Sequence, residues 1–176
     1  MNLRGSHTEE NLKKAIQGEA LACVKYQIYA SLLGKTSKDI EEKINHISHN
    51  EKEHLKVWKK ILLSDEYYDD EANLLDAISG EETECFSMYP EFARIAREEG
   101  FDEIADKFEM VAKIECDHSW QFRKFKDMVH NLDTTEYGFE KGFVCLNCGY
   151  IHNSVEAPDV CPVCDHPKNY FKKIGE

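Results

Sequence analysis

The sequence contains no apolar run long enough to span a membrane, and its N-terminus contains no apolar signal core. It is also poor in positive charge, because 22 Lys and Arg residues stand against 34 Asp and Glu residues and give a net charge of -12. An acidic balance of this size disfavours nucleic acid and anionic membranes as partners. We therefore expect a cytoplasmic protein with no nucleic-acid partner and no membrane partner.

Cysteine usage argues against a disulfide framework. The seven cysteines are an odd number, and four of them form two Cys-x-x-Cys pairs, which is typical of metal ligation in a reducing compartment. The pairs are Cys145 with Cys148 and Cys161 with Cys164. Their spacing predicts a tetrahedral site for a single iron or for zinc. We expect Cys23, Cys85 and Cys116 to be small buried residues, with a reactive thiol as the less favoured alternative.

Four segments are amphipathic at helical spacing. The second stripe runs from Ile40 to Ile61 at steps of three and four, and similar stripes start at Leu12, Leu74 and Ile104. We predict that Thr8 caps the first helix, that Gly34 ends it, that Ser37 caps the second, and that Pro90 interrupts the third. Four such helices with short and long links predict an all-α four-helix bundle over residues 1–132, with Ser64 to Asp70 as a crossover loop.

The chain changes character after the fourth helix. Residues 133–142 are polar and suit a linker. Residues 143–176 are too few to form a hydrophobic core of their own, so we expect a metal to hold this module together.

Each stripe is interrupted near its middle by a carboxylate. The second and fourth helices carry Glu-x-x-His, and the first and third carry Glu alone. A buried carboxylate without a partner is costly, and a cation is the usual remedy. One Glu from each of two helices and Glu-x-x-His from each of two others is the pattern of di-iron or di-manganese bundles. The candidate ligands are Glu19, Glu51, His54, Glu81, Glu84, Glu115 and His118. We interpret His46 and His49 as surface histidines.

These residues resemble the rubrerythrin family over essentially the whole chain. The matching motifs are Asn50-Glu51-Lys52-Glu53-His54, Met88-Tyr89-Pro90-Glu91-Phe92-Ala93, Glu115 with His118, and the cysteine module with Cys161-Pro162-Val163-Cys164. The resemblance implies a ferritin-like bundle with a C-terminal rubredoxin-like module that holds one iron. It implies that the seven candidate ligands bind two irons, that Tyr26 and Tyr89 hydrogen-bond near them, and that one iron moves between Glu84 and His54 with redox state. This chain departs from the family pattern at Cys85, Cys116 and Asp165.

The resemblance further implies a homodimeric peroxidase that reduces hydrogen peroxide to water, with electrons arriving through the four-cysteine iron. The resemblance also implies an external electron donor, such as an NADH-dependent reductase or a rubredoxin. The chain has no dinucleotide-binding fingerprint, so we do not expect it to bind NADH itself. Two alternatives stay open at this point. One is a ferroxidase or iron-handling protein, and the other is a non-enzymatic binding module in which zinc fills the cysteine site.

Overall fold

The computed structural model describes residues 3–64, 67, 69–129 and 142–174. The chain forms two compact units, a first unit of residues 1–69 and a second unit of residues 70–176. The first unit contains helices α1 (His7–Leu33) and α2 (Lys38–Leu63). The second contains α3 (Asp70–Thr83), a π-helical segment (Glu84–Met88), α4 (Tyr89–Glu98), α5 (Asp102–Val129) and a small sheet. The predicted class, a helical protein with a small C-terminal metal ribbon, is confirmed.

The helix ends of the first unit follow their capping residues. Gly34 ends α1 and Ser37 caps α2, as predicted. The cap of α1 is Ser6 rather than Thr8. The Ser6 hydroxyl accepts a hydrogen bond of 3.1 Å from the Glu9 amide and donates one of 2.6 Å to the Leu3 carbonyl, so the helix begins before Thr8.

A polar contact joins the two helices of the first unit. Ser48 is 2% exposed and donates a hydrogen bond of 2.8 Å to the backbone carbonyl of Cys23. Cys23 is buried, as predicted. The α2 stripe is less buried than predicted, because Ile40, Ile47 and Ile61 are 45%, 47% and 48% exposed. Two packed helices share one narrow face, and side chains at the margins of a stripe then stay in contact with solvent.

The third stripe is interrupted, as predicted, but the interruption comes before Pro90. Five residues of π-helix separate α3 from α4, and Pro90 lies in the first turn of α4, directly after Tyr89, whose amide donates to the Glu84 carbonyl and closes the π-helical segment. Gly100, with φ of +85°, marks the turn before α5. Ala93, Ala96 and Ala105 form a cluster of buried apolar residues in this unit, and Phe108 packs against them.

The C-terminal sheet has three short antiparallel strands, β1 (Phe143–Cys145), β2 (Ile151–His152) and β3 (Phe171–Lys173), in the order β2-β1-β3. Residues 65, 66 and 68 of the predicted crossover loop and 133–141 of the predicted linker lie outside the described residues, and the predicted domain boundaries stay predictions. Across the described ranges, no helix is both long and apolar enough to cross a membrane.

Candidate metal centres

The first unit contains a cluster of two carboxylates and one imidazole, which we call the first triad: Glu19, Glu51 and His54. Glu19 comes from α1, and the other two residues lie three positions apart on α2, so they share one face of that helix. Nδ1 of His54 lies 3.0 Å from Oε2 of Glu51 and 3.7 Å from Oε2 of Glu19. The helix pair therefore brings three predicted ligands together.

The second unit repeats this arrangement in a second triad of Glu81, Glu115 and His118. Glu81 comes from α3, and the Glu-x-x-His pair comes from α5. Nδ1 of His118 lies 2.7 Å from Oε2 of Glu115 and 3.5 Å from Oε2 of Glu81. The same nitrogen atom faces the carboxylates in both triads.

Both triads fit a first-row transition metal. In each triad the donor atoms lie within 4.8 Å of one another. Neighbouring donors of a six-coordinate ion with bonds of about 2.1 Å are about 3.0 Å apart, close to the shortest distance measured in each triad. A set richer in carboxylate oxygen than in nitrogen favours iron or manganese over zinc.

Two further predicted residues, Glu84 and Tyr89, interact electrostatically with the second triad. Burial is the main cause that raises the pKa of Glu115; His118 opposes this shift, and Glu81 and Glu84 reinforce it. Burial also raises the pKa of Tyr89, and the charges of Glu84, Glu115 and Glu81 raise it further. The Tyr89 ring is held by packing, 6.1 Å from Phe92 and 6.0 Å from Phe108 between centroids. Its hydroxyl therefore keeps its proton among carboxylates and is available as a donor.

Three other residues are singled out in the sequence: Tyr26, His46 and His49. Tyr26 packs against Tyr29 on its own helix, with ring centroids 6.4 Å apart, and its role near a metal stays a prediction. His46 and His49 are exposed, as predicted.

The four C-terminal cysteines converge on one point. Sγ of Cys145 lies 3.7 Å from Sγ of Cys164, and Sγ of Cys148 lies 3.7 Å from Sγ of Cys161. A tetrahedral ion with metal–sulfur bonds of about 2.3 Å places its sulfurs about 3.8 Å apart, so the site fits one iron or zinc ion.

Each Cys-x-x-Cys pair and the residue that follows it form a tight turn, which we call a knuckle. The two knuckles have the same backbone hydrogen bond. The Gly149 amide donates to the Cys145 carbonyl at 2.9 Å, and the Asp165 amide donates to the Cys161 carbonyl at 3.0 Å. Gly149 has φ of +78° and Asp165 has φ of +59°. Asp is one of the few residues other than Gly that adopt this left-handed conformation readily, so Asp165 is compatible with the knuckle.

Thiol chemistry also favours a cation at this position. Cys145 and Cys161 are 1% and 0% exposed. Burial is the main cause that raises the pKa of Cys148 and of Cys161. Burial acts in the same direction on Cys164, but hydrogen bonds, first from the His166 backbone amide, lower the pKa of that thiol to about 6. Thiolates are the metal-binding form, and a bound cation compensates their charge in buried surroundings.

The four-cysteine module lies against α5. A Cβ atom added to Gly149 would be 3.0 Å from Nε2 of His118 and 3.2 Å from a methyl carbon of Ile114. Nζ of Lys107 and a carboxylate oxygen of Asp165 are 3.8 Å apart across the same boundary. The first knuckle therefore reaches the nitrogen of His118 that faces away from the carboxylates.

The structure corrects the sequence interpretation of two cysteines. Cys85 and Cys116, expected as free buried thiols, are joined by a disulfide with a Cα–Cα distance of 5.1 Å. They lie 31 positions apart in the sequence and have no motif spacing. Only the packing of the π-helical segment against α5 brings them together, and the cysteine count gives no signal for it.

The chain is similar to known families and proteins. The rubrerythrin family model matches residues 10–126 and 72–141, and the model of the rubrerythrin rubredoxin-like domain matches residues 143–172. Rubrerythrin of Nitratidesulfovibrio vulgaris is 35% identical over 99% of this chain and 97% of its own length. Rubrerythrin of Clostridium perfringens is 35% identical over 99% and 98%. A solved structure of partially reduced nigerythrin is 28% identical, covers 96% of this chain and 86% of that one, and has a TM-score of 0.42.

Proposed function

The chain belongs to the rubrerythrin family, and we propose that it is a non-haem di-iron peroxidase that reduces hydrogen peroxide to water. Membership of the family makes it an oxidative-stress oxidoreductase with a di-iron carboxylate and histidine site and a four-cysteine site for one iron. The substrate and the NADH-linked supply of electrons are the part that we propose.

The observation that carries the proposal is the repetition of the triad. Two clusters with the same donor atoms suit two equivalent ions, and when iron is bound there the pair supplies the two electrons that cleave the O–O bond. We propose that these irons are held by Glu19, Glu51, His54, Glu81, Glu84, Glu115 and His118. Nδ1 of each histidine lies with its carboxylates, which supports imidazole as a ligand through that atom.

Tyr89 has the properties of a proton-holding group beside this site. Its raised pKa keeps the hydroxyl protonated at neutral pH, and its ring packing restricts where the hydroxyl can point. We propose that Tyr89 donates a hydrogen bond to a carboxylate ligand or to the bound substrate, and that Tyr26 has the corresponding role at the first triad. Neither tyrosine needs to lose its proton in this role.

The position of the four-cysteine module supports its role as electron entry. Its first knuckle contacts His118 of the second triad, so the path from this module to a ligand of the pair is short. We propose that an external NADH-dependent reductase or a rubredoxin delivers electrons to this module. We also propose a cytoplasmic homodimer, which is supported by the exposed apolar side chains of α1 and α2, such as Leu21, Val24 and Val57, at 67%, 55% and 50% exposure.

Anaerobic stopped-flow absorbance of the fully reduced protein, mixed with hydrogen peroxide or with oxygen, tests the proposal. We expect oxidation by peroxide to be much faster than oxidation by oxygen and to consume one peroxide for each iron pair. A preference for oxygen, together with turnover of added ferrous iron, would favour the ferroxidase alternative. Zinc in the cysteine site of the natively purified protein would favour the binding module.

A further inference from the structure

The disulfide lies next to the second triad in sequence but on another face of its helix. Cys85 directly follows the candidate ligand Glu84, and Cys116 directly follows Glu115. Consecutive residues point about 100° apart around a helix, so Cys116 projects away from the direction of Glu115. The bond therefore joins the π-helical segment to α5 at the positions directly after Glu84 and Glu115.

The disulfide is accessible from a groove on the surface of the second unit. The groove has a volume of about 440 Å³ and is lined by both cysteines and by Ala112, Lys113 and Arg97 among others. Cys85 is only 4% exposed, whereas Cys116 is partly exposed. Cys116 is therefore the more exposed of the two cysteines to a reagent that enters the groove.

We propose that Cys85 and Cys116 form a reversible dithiol–disulfide couple, oxidised by hydrogen peroxide and reduced by an external dithiol, that fastens the two elements carrying Glu84 and Glu115. This couple is additional to the proposed iron chemistry and uses different atoms. In a reducing compartment, protein disulfides are usually transient, catalytic or redox-sensing, and the proposed cytoplasmic location places this disulfide in that class.

The reactions balance in both directions. In oxidation, the sulfur of Cys116 attacks one peroxide oxygen and the O–O bond breaks, which gives a sulfenic acid and one water. The sulfur of Cys85 then displaces the sulfenic hydroxyl as a second water, so two thiols lose two electrons and two protons in total. In reduction, one sulfur of the dithiol attacks Cys116 and releases Cys85, which gains a proton. The second sulfur of the dithiol closes its own disulfide and frees Cys116.

Differential alkylation with peptide mapping tests the couple in the full-length iron-loaded protein. As purified, Cys85 and Cys116 are expected to resist alkylation under non-reducing conditions. After dithiothreitol both become alkylated, and hydrogen peroxide in excess over the iron pairs, added once the dithiothreitol is removed, restores protection. A bond that resists dithiothreitol while the protein stays folded overturns the proposal. Free thiols that peroxide does not join also overturn it. This readout does not depend on turnover at the irons, so failure of the peroxidase proposal is recognised separately.

Iron release to a chelator tests the fastening effect. We expect the bundle irons to leave a Cys85→Ser, Cys116→Ser double variant about tenfold faster than the oxidised wild type, because groups that orient metal ligands change affinity by about 10–100-fold. The matched control is Cys23→Ser, a buried cysteine in the first unit, which is expected to behave as wild type. Wild type reduced with dithiothreitol repeats the comparison without a substitution. Equal release rates for oxidised and reduced wild type overturn the fastening role.

Discussion

The two triads have the same donors, but their surroundings differ. The side chains of Glu51 and His54 are 20% and 55% exposed, whereas Glu115 and His118 in the matching positions are 14% and 37% exposed. The second triad also has a tyrosine under the influence of its carboxylates, a neighbouring π-helical segment, a disulfide behind it and the four-cysteine module against its histidine. Two packed helices are sufficient to assemble the donors of each triad, and these additional neighbours are described for the second triad.

The largest effect is expected when a carboxylate ligand is removed from either triad. Glu51→Ala and Glu115→Ala, one in each triad, should each abolish iron pairing because each removes a carboxylate from one of the two proposed iron sites. Both should leave the four-cysteine iron in place because its ligands are separate. Iron analysis per chain, together with the absorbance of the cysteine-bound iron, measures both sites. Loss of the cysteine-bound iron from a folded module in either variant would show that the sites are not independent.

A second substitution tests the four-cysteine module, which contacts the second triad. Cys161→Ser should stop steady-state peroxide reduction with an external donor, because the electron entry site loses a ligand. A single turnover of the chemically reduced protein should be unchanged, since the triads keep all their residues. Steady-state assays and single-mixing stopped-flow separate the two. Undiminished steady-state turnover without the cysteine-bound iron would remove the module from the electron route.

A smaller effect is expected at the tyrosines. Tyr89→Phe should slow single-turnover oxidation by roughly tenfold, the size expected when one hydrogen bond to a charged group is lost. Tyr26→Phe is the matched change in the first unit, and we expect a smaller effect there because that triad is more exposed. Equal effects of the two changes would mean that the two surroundings do not differ functionally.

The smallest effect is expected at Gly149. Gly149→Ala adds a Cβ atom 3.0 Å from Nε2 of His118 in a backbone conformation that costs about 1 kcal/mol for alanine. We expect re-reduction of the iron pair to slow several-fold while oxidation by peroxide is unaffected. Double-mixing stopped-flow measures the two steps, and Gly18→Ala, where the added Cβ meets nothing within 4 Å, is the control. Unchanged re-reduction would remove this contact from the route.

Much of this molecule is predictable because its determinants are local. The apolar stripes specify the long helices, and a carboxylate in the middle of a stripe is visible without any structure, as are two Cys-x-x-Cys pairs. The rubrerythrin resemblance and the metal-binding classes derived from these patterns are confirmed.

The features that sequence reasoning missed depend on packing between elements. The bond between Cys85 and Cys116 exists only because the π-helical segment meets α5, and no spacing rule encodes that contact. The cap at Ser6 depends on a turn that begins at Leu3. The exposure of Ile47 could not be read from its stripe either, since an apolar pattern predicts burial without identifying the partner surface.

The π-helical segment changes the direction in which the side chains after it point, relative to those before it. Tyr89 comes eight positions after Glu81, and in an uninterrupted α-helix it would point about 80° away from the direction of Glu81. The Tyr89 amide bonds instead to the Glu84 carbonyl, five positions back, so the helix holds one extra residue and the offset falls to about 20°. If the same residues wound as a regular α-helix, the tyrosine would rotate by about 100° while every metal ligand stayed in the chain. One inserted amino acid therefore lets a helix present both its carboxylates and its phenol on the same side.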